Sequence, residues 1–186
     1  MSAAELGLLA SFLRCAQHYF EFGAGGSTCL AASLVAQSVT AVDSSQAWLD
    51  EVAAYCAATA QPRKPQLIHV DIGPIRDWGY PADDTAREKW PVYHDGVWEH
   101  PRAKSADLFL VDGRFRVACF MQIILHTGPD SLIAIHDFAS RKEYHVVREV
   151  AREIARSEDL AVFMPLPGDA TAPAARILEA HRFVAG

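Results

Sequence analysis

Five acidic residues close short apolar runs in this sequence: Glu21, Asp43, Asp71, Asp112 and Asp137. Carboxylates gathered at one edge repel each other by about 1 kcal/mol per pair at contact in water, and by more when partly desolvated. A cation between them relieves that repulsion, and a sulfonium, an amine or a divalent metal would each qualify. The run Gly23-Ala24-Gly25-Gly26 follows the first of these acids after one residue, Phe22. Glycines there permit a tight turn and let the next helix N-terminus approach a ligand. Asp43 lies 22 residues after Glu21, a position from which a carboxylate can accept both hydroxyls of a ribose. Its other reading is a helix N-cap.

Further groups crowd the later acids. His136 precedes Asp137 and has an ordinary pKa near neutrality, so it can act as a general base or be a strand-end histidine satisfied by backbone. Arg114 and Arg116 follow Asp112 and can hold a carboxylate or phosphate of a substrate, or pair with Asp112 and Asp137. His94 and His100 are too widely spaced in a loop to make a metal site. Cys15, Cys29, Cys56 and Cys119 are scattered in apolar or helical stretches with no C-x-x-C pair, which predicts buried free thiols rather than disulfides or zinc ligands.

The elements that must position these residues alternate. Ser2 and Glu5 have capping-box spacing, which predicts an opening helix to about Gln17. Strands follow at Tyr19–Phe22, Val39–Asp43, Leu67–Val70, Asp107–Asp112 and Leu132–Asp137. Helices are predicted from Ser27-Thr28 to about Gln37, from Ser44 or Ser45 to about Ala60, and after Asp112 to about His126. Ser140 and Glu143 give a second capping-box signal, for a helix to about Ser157. A sixth strand is expected at Leu160–Met164 and a seventh within Ala175–Val184. The proline-rich link Pro165–Pro173 is too short for a parallel crossover, so these two should form an antiparallel hairpin at the sheet edge. A short helix over Ala174–Ala180 is the alternative.

Strands that are apolar throughout, separated by helices, predict a seven-stranded, mostly parallel α/β sheet of Rossmann-like type, with an antiparallel C-terminal strand and helices on both faces. The length of 186 residues fits one domain over 1–186. Periodicity fades between about 72 and 105, where three of the four tryptophans fall. A loop insert this long and aromatic is usually functional, as a lid over an acceptor, or it packs at a sheet edge or in a homodimer contact.

A formal charge of −6 and scattered arginines argue against nucleic acid as a partner. The apolar run Leu6–Leu13 is too short to span a bilayer and lacks the marks of a signal peptide, so no membrane partner and a cytoplasmic location are expected.

The segment Phe20-Glu21-Phe22-Gly23-Ala24-Gly25-Gly26-Ser27-Thr28 resembles motif I of the class I S-adenosylmethionine-dependent methyltransferases, with Ser27 where a glycine often ends the motif. Val42-Asp43 resembles their second motif and Val70-Asp71-Ile72 their adenine-side motif. The resemblance spans roughly Tyr19 to Val184 and extends to the terminal hairpin. It implies S-adenosylmethionine as cofactor. Glu21 would orient the loop and the methionine amino group, Gly23 and Gly25 would approach the cofactor, Asp43 would take the ribose, Asp71 and Ile72 the adenine, and Asp112 would complete the site. Val111-Asp112-Gly113 and Ile135-His136-Asp137 resemble the small-molecule O-methyltransferases that bind a divalent cation such as magnesium through two aspartates, here Asp112 and Asp137. Phe138 stands where those enzymes usually carry an asparagine. The implied activity is methyl transfer to a small-molecule acceptor, at oxygen, with Asp112, His136 and Asp137 as catalytic residues. Two other readings compete: a non-catalytic S-adenosylmethionine-binding or assembly module, and a nicotinamide-dependent oxidoreductase. Thr28 in place of the third glycine of G-x-G-x-x-G weighs against the latter.

Overall fold

The structure is a computed structural model that describes residues 1–59 and 61–186. Helix α1 (Ala3–Leu13) starts at the expected box: Ser2 Oγ accepts the Glu5 amide at 3.3 Å, and Glu5 Oε2 accepts the Ser2 amide at 2.6 Å. Then come β1 (His18–Phe22), α2 (Gly26–Leu34), β2 (Ser38–Asp43), α3 (Gln46–Ala58) and β3 (Gln66–His69). Ser45 caps α3 by accepting the Trp48 amide. The expected end of this helix at Ala60 lies outside the described residues.

Between residues 70 and 107 the chain forms short helical turns, among them α4 (Val92–Asp95) and α5 (Pro101–Lys104). This segment is not only a surface loop. Trp90, Tyr93, Val97 and Trp98 are buried against the Phe20, Phe22 and Phe109 face of the sheet, while Trp78 is 88% exposed. After β4 (Leu108–Val111), α6 (Arg116–His126) and β5 (Leu132–Ile135) come β6 (Ala151–Ser157), β7 (Leu160–Pro165) and α7 (Thr171–His181).

The seven strands lie in the order β3-β2-β1-β4-β5-β7-β6. The pairs from β3 through β5 are parallel, whereas β7 is antiparallel to both β5 and β6. The order reverses between β1 and β4, so a crevice opens there beyond their carboxyl ends. The fold class agrees with the sequence pattern, but two terminal elements do not.

The segment expected to be helical as far as Ser157 holds a 3-10 turn at Lys142–Glu149 and then strand β6. Ser140 makes other contacts in place of the expected box: its amide donates to Asp159 Oδ1 at 2.7 Å and its hydroxyl to the Asp137 carbonyl. β6 alternates exposed and less exposed residues, with Arg152 and Arg156 on the exposed side, as an edge strand should. The antiparallel hairpin is therefore β6–β7, turning at Glu158-Asp159, and not a pair made with Ala175–Val184. Most of that last segment belongs to α7, the helix kept as the alternative over Ala174–Ala180, whose Ala174 and Ile177 are buried one turn apart. Pro173 sits in its first turn, where a missing N–H costs nothing.

The cysteines also depart from expectation. Cys29 on α2 and Cys56 on α3 form a disulfide, with Cα atoms 5.3 Å apart. Cys15 is an exposed free thiol and Cys119 a buried one. The two helices pack side by side over Ala41, which brings together residues 27 apart in sequence. Scattered spacing carries no trace of that proximity.

Candidate active site

The glycines of the bend after β1 serve two different tasks. Gly23 has φ +96°, and a Cβ there would stand 2.5 Å from the Gly113 amide nitrogen, so β1 and β4 ends touch only because both residues lack side chains. Gly25 and Gly26 differ: a Cβ on either would meet nothing within 4 Å. Their open side is the cleft, which both residues line.

Glu21 holds this bend from behind. It is wholly buried, accepts from the Tyr19 hydroxyl at 2.6 Å, and accepts from the Thr28 hydroxyl. Thr28 Oγ1 in turn takes the Gly25 amide at 2.9 Å. Burial pushes the Glu21 pKa up to about 7, against the opposing pull of Thr28 and Tyr19. Glu21 is not among the residues lining the cleft, and its contact with the loop runs through Thr28.

Asp43 ends β2 on the cleft wall. Oδ1 accepts the Ser45 amide at 2.9 Å and Oδ2 the Ala24 amide at 3.2 Å. Burial raises its pKa despite these amides. Its oxygens keep further lone pairs for a ligand hydroxyl. Asp71 and Ile72 stand elsewhere. Asp71 is exposed, takes the Gly73 amide and pairs with Lys89 at 3.2 Å, while Ile72 is sealed in the core. Neither lines the cleft, whose wall next to Asp43 is built by Ser44, Ser45, Ile75 and residues 76–80.

At the ends of β4 and β5 the structure gathers Asp112, His136 and Asp137. His136 Nδ1 lies 3.2 Å from an oxygen of each aspartate, and its Nε2 lies 3.3 Å from Glu5 of α1. Burial disfavours its protonation, yet the contacts with Asp112, Asp137 and Glu5 raise its pKa above the usual value. Carboxylates rather than backbone therefore satisfy this ring. Asp137 adopts φ +59°, a left-handed conformation uncommon for a residue with a side chain. Arg116, only 4% exposed, bridges the two: Nη2 is 3.2 Å from Asp112 and Nη1 is 3.0 Å from Asp137. It also donates to the Gly113 and His136 carbonyls at 3.0 and 2.7 Å. Arg141 adds a second contact to Asp137 at 3.4 Å.

This arrangement does not fit a divalent cation at Asp112 and Asp137. A buried guanidinium that never loses its proton already occupies the space between the carboxylates and neutralises them. Among the described residues no group of three or more His, Cys, Asp or Glu side chains is disposed to hold a metal. His94 is buried against the Arg182 carbonyl, and His100 contacts Gln66 and caps α5.

A nucleoside cofactor fits better. The cleft encloses about 1380 Å³ and runs from the glycine bend past Asp43 to Asp112 and His136. The sequence reading missed several of its walls. Trp48 reaches back to donate its indole N–H to the Ala24 carbonyl at 2.7 Å. Trp78, at φ +63°, stands at the rim in a conformation costing about 1–3 kcal/mol. Tyr80, Tyr93 and Arg141 complete the lining. The fading periodicity and clustered aromatics of residues 72–105 were the signal for Trp78, Tyr80 and Tyr93, whereas nothing in the sequence pointed to Trp48 or Arg141.

No family model matches the chain, and no curated protein matches it by sequence. Solved structures do. A methyltransferase-like protein from Silicibacter pomeroyi is 31% identical, with 96% of this chain and 95% of that one covered and a TM-score of 0.82. A putative caffeoyl-CoA O-methyltransferase from Staphylococcus aureus shares the fold at 14% identity, TM-score 0.63, with 89% and 85% covered. An RNA methyltransferase from Salinibacter ruber, in complex with S-adenosyl-L-homocysteine, does so at 10% identity, TM-score 0.57, with 91% and 97% covered.

Proposed function

Because the chain belongs to the family of class I S-adenosylmethionine-dependent methyltransferases, we propose that it transfers a methyl group to oxygen on a small-molecule acceptor. The observation that carries this reading is the continuous cleft joining the Gly25-Gly26 bend and Asp43 to the Asp112–His136–Asp137 cluster. S-adenosylmethionine, when bound, supplies an electrophilic methyl group on a sulfonium. The residues of this chain do the rest. Gly25 and Gly26 leave room for close approach, Asp43 accepts ribose hydroxyls, and the Trp48 and Trp78 side flanks the base. Glu21 acts through Thr28 by holding the Gly25 amide in place.

At the other end, His136 is the proton-handling group. Contacts with Asp112, Asp137 and Glu5 raise its pKa, so the imidazole–carboxylate cluster as a whole takes up the acceptor's proton as the methyl group leaves the sulfonium, with Asp112 and Asp137 orienting the ring. Methyl transfer otherwise asks mainly for alignment and exclusion of water. Metal plays no part in this proposal. The acceptor's small size is favoured by the enclosed cleft and by the net charge of −6, which opposes nucleic acid. No helix among the described residues is long and apolar enough to cross a membrane, and action in the cytoplasm is part of the proposal.

Calorimetry with S-adenosylhomocysteine tests the reading. Binding in the micromolar range that is weakened by Asp43→Ala supports it. No binding at millimolar concentration, together with saturable binding of a nicotinamide nucleotide, would reject it in favour of an oxidoreductase.

A further inference from the structure

Arg114 and Arg116 leave the same strand end, yet their surroundings are opposite. Arg116 is fully engaged by two carboxylates and two carbonyls. Arg114 is 8% exposed, and its buried Nε and Nη1 have no hydrogen-bond partner among the described residues. A buried guanidinium left this way is costly, because each unmet charged donor forfeits its hydration. Its side chain lies flat on the Tyr80 ring, Cζ 3.9 Å from the centroid, while Arg76 stands 5.4 Å from the same ring.

The surrounding donors converge. The point where a Cβ on Gly186 would stand is 3.1 Å from Arg114 Nη1, 3.1 Å from the Tyr80 hydroxyl and 3.6 Å from Arg141 Nη1. Gly186 lies beside these groups, and Arg114, Tyr80 and Arg141 line the cleft. Burial resists ionisation of Tyr80, but contact with Arg141 and the charge of Arg114 hold its hydroxyl below the usual range. Arg141 shares Asp137 with Arg116, and Arg76 and Arg114 pair with no carboxylate among the described residues. Three arginines, Arg76, Arg114 and Arg141, meet around the Tyr80 ring, and Asp137 pairs with one of them.

We infer that Arg114, Arg141 and Tyr80 form the subsite that holds an anionic group, carboxylate or phosphate, on the methyl acceptor. The inference rests on the methyltransferase reading for the word acceptor, but the anion site stands on its own geometry. Arg141 bridges the subsite to Asp137, so an anion held there places the rest of the molecule next to His136. The cleft thereby selects anionic substrates over neutral ones of the same shape.

The test titrates benzoate and phenyl phosphate separately into the full chain saturated with S-adenosylhomocysteine. At least one should bind, more weakly as salt rises, and the tighter of the two tells carboxylate from phosphate. Arg114→Gln should weaken that binding by about 10- to 100-fold, the range for loss of charged hydrogen bonds, while S-adenosylhomocysteine still binds. Tyr80→Phe keeps the ring and should weaken it less. Should Arg114→Gln fail to fold, the Arg114 Nε–H resonance of the wild-type protein gives the same answer by shifting on titration. Equal binding to wild type and Arg114→Gln, or no shift of that resonance, overturns the inference. Anion binding without S-adenosylhomocysteine binding would instead leave the subsite standing and remove the methyltransferase reading.

Discussion

Arg116 Nη1 lies 3.0 Å from Asp137 while Nη2 of the same guanidinium lies 3.2 Å from Asp112. The two aspartates that would ligate a metal in a cation-dependent relative are thus bridged by a permanent cation of the chain itself. Chelation by EDTA or addition of magnesium should leave turnover unchanged. Arg116→Met should destabilise the fold by about 3–5 kcal/mol in urea titration, because it strands two partly buried carboxylates. Adding Asp112→Asn and Asp137→Asn to that variant should recover part of the loss. Activity that depends on a divalent ion would contradict this account.

The two kinds of glycine in the bend predict opposite phenotypes. Gly23→Ala forces a side chain into a φ of +96° and against the Gly113 backbone, so it should lower stability by more than about 1 kcal/mol. Gly25→Ala meets no protein atom, so it should melt as wild type does and yet bind S-adenosylhomocysteine more weakly. Melting curves and calorimetry on the pair separate the roles, and equal cofactor affinity in Gly25→Ala would remove that residue from the site.

Glu21 makes stability depend on pH. Its folded pKa of about 7 lies above an unfolded value near 4.5. The unfolded chain therefore ionises first, and this group's contribution is fully present below about pH 4.5 and lost as pH rises through about 7. The loss amounts to about 3 kcal/mol, at 1.36 kcal/mol per pKa unit. Glu21→Gln should accordingly gain stability on wild type at pH 8 relative to pH 5. A difference between the two proteins that does not change with pH would show that Glu21 is not protonated in the fold.

The Cys29–Cys56 bridge closes a loop of 27 residues. Its reduction should cost about 3–4 kcal/mol by loop entropy, a fall in Tm of roughly 6 to 16 °C for a chain of this size. Scanning calorimetry with and without dithiothreitol measures it, and Cys29→Ser should remove the sensitivity to reductant. Unchanged melting under both conditions would mean that the two thiols are free in solution.

Local patterns determined a good part of this protein. Apolar strands ending in acids, a glycine bend after the first, and helices between them specify a parallel sheet with a crevice at its carboxyl edge, since each feature acts within a few residues. Asp43, Asp112 and Asp137 could be read as converging on that crevice for that reason, whereas Glu21, read with them, is buried behind the glycine bend against Thr28, and Asp71 is exposed beside Lys89. What depended on distant partners could not. The Ser140–Glu143 box gives no long helix: Asp159, 19 residues away, takes the Ser140 amide, and Ala151–Ser157 pairs with β7 instead. Cys29 found Cys56 only because α2 and α3 pack side by side. Arg114 and Arg116, two residues apart and identical in type, were divided by packing alone, one drawn between Asp112 and Asp137 and the other laid on Tyr80 with its donors unmet. Sequence sets which charges are available at a strand end, and the tertiary fold decides which of them are neutralised at home and which are left to meet a ligand.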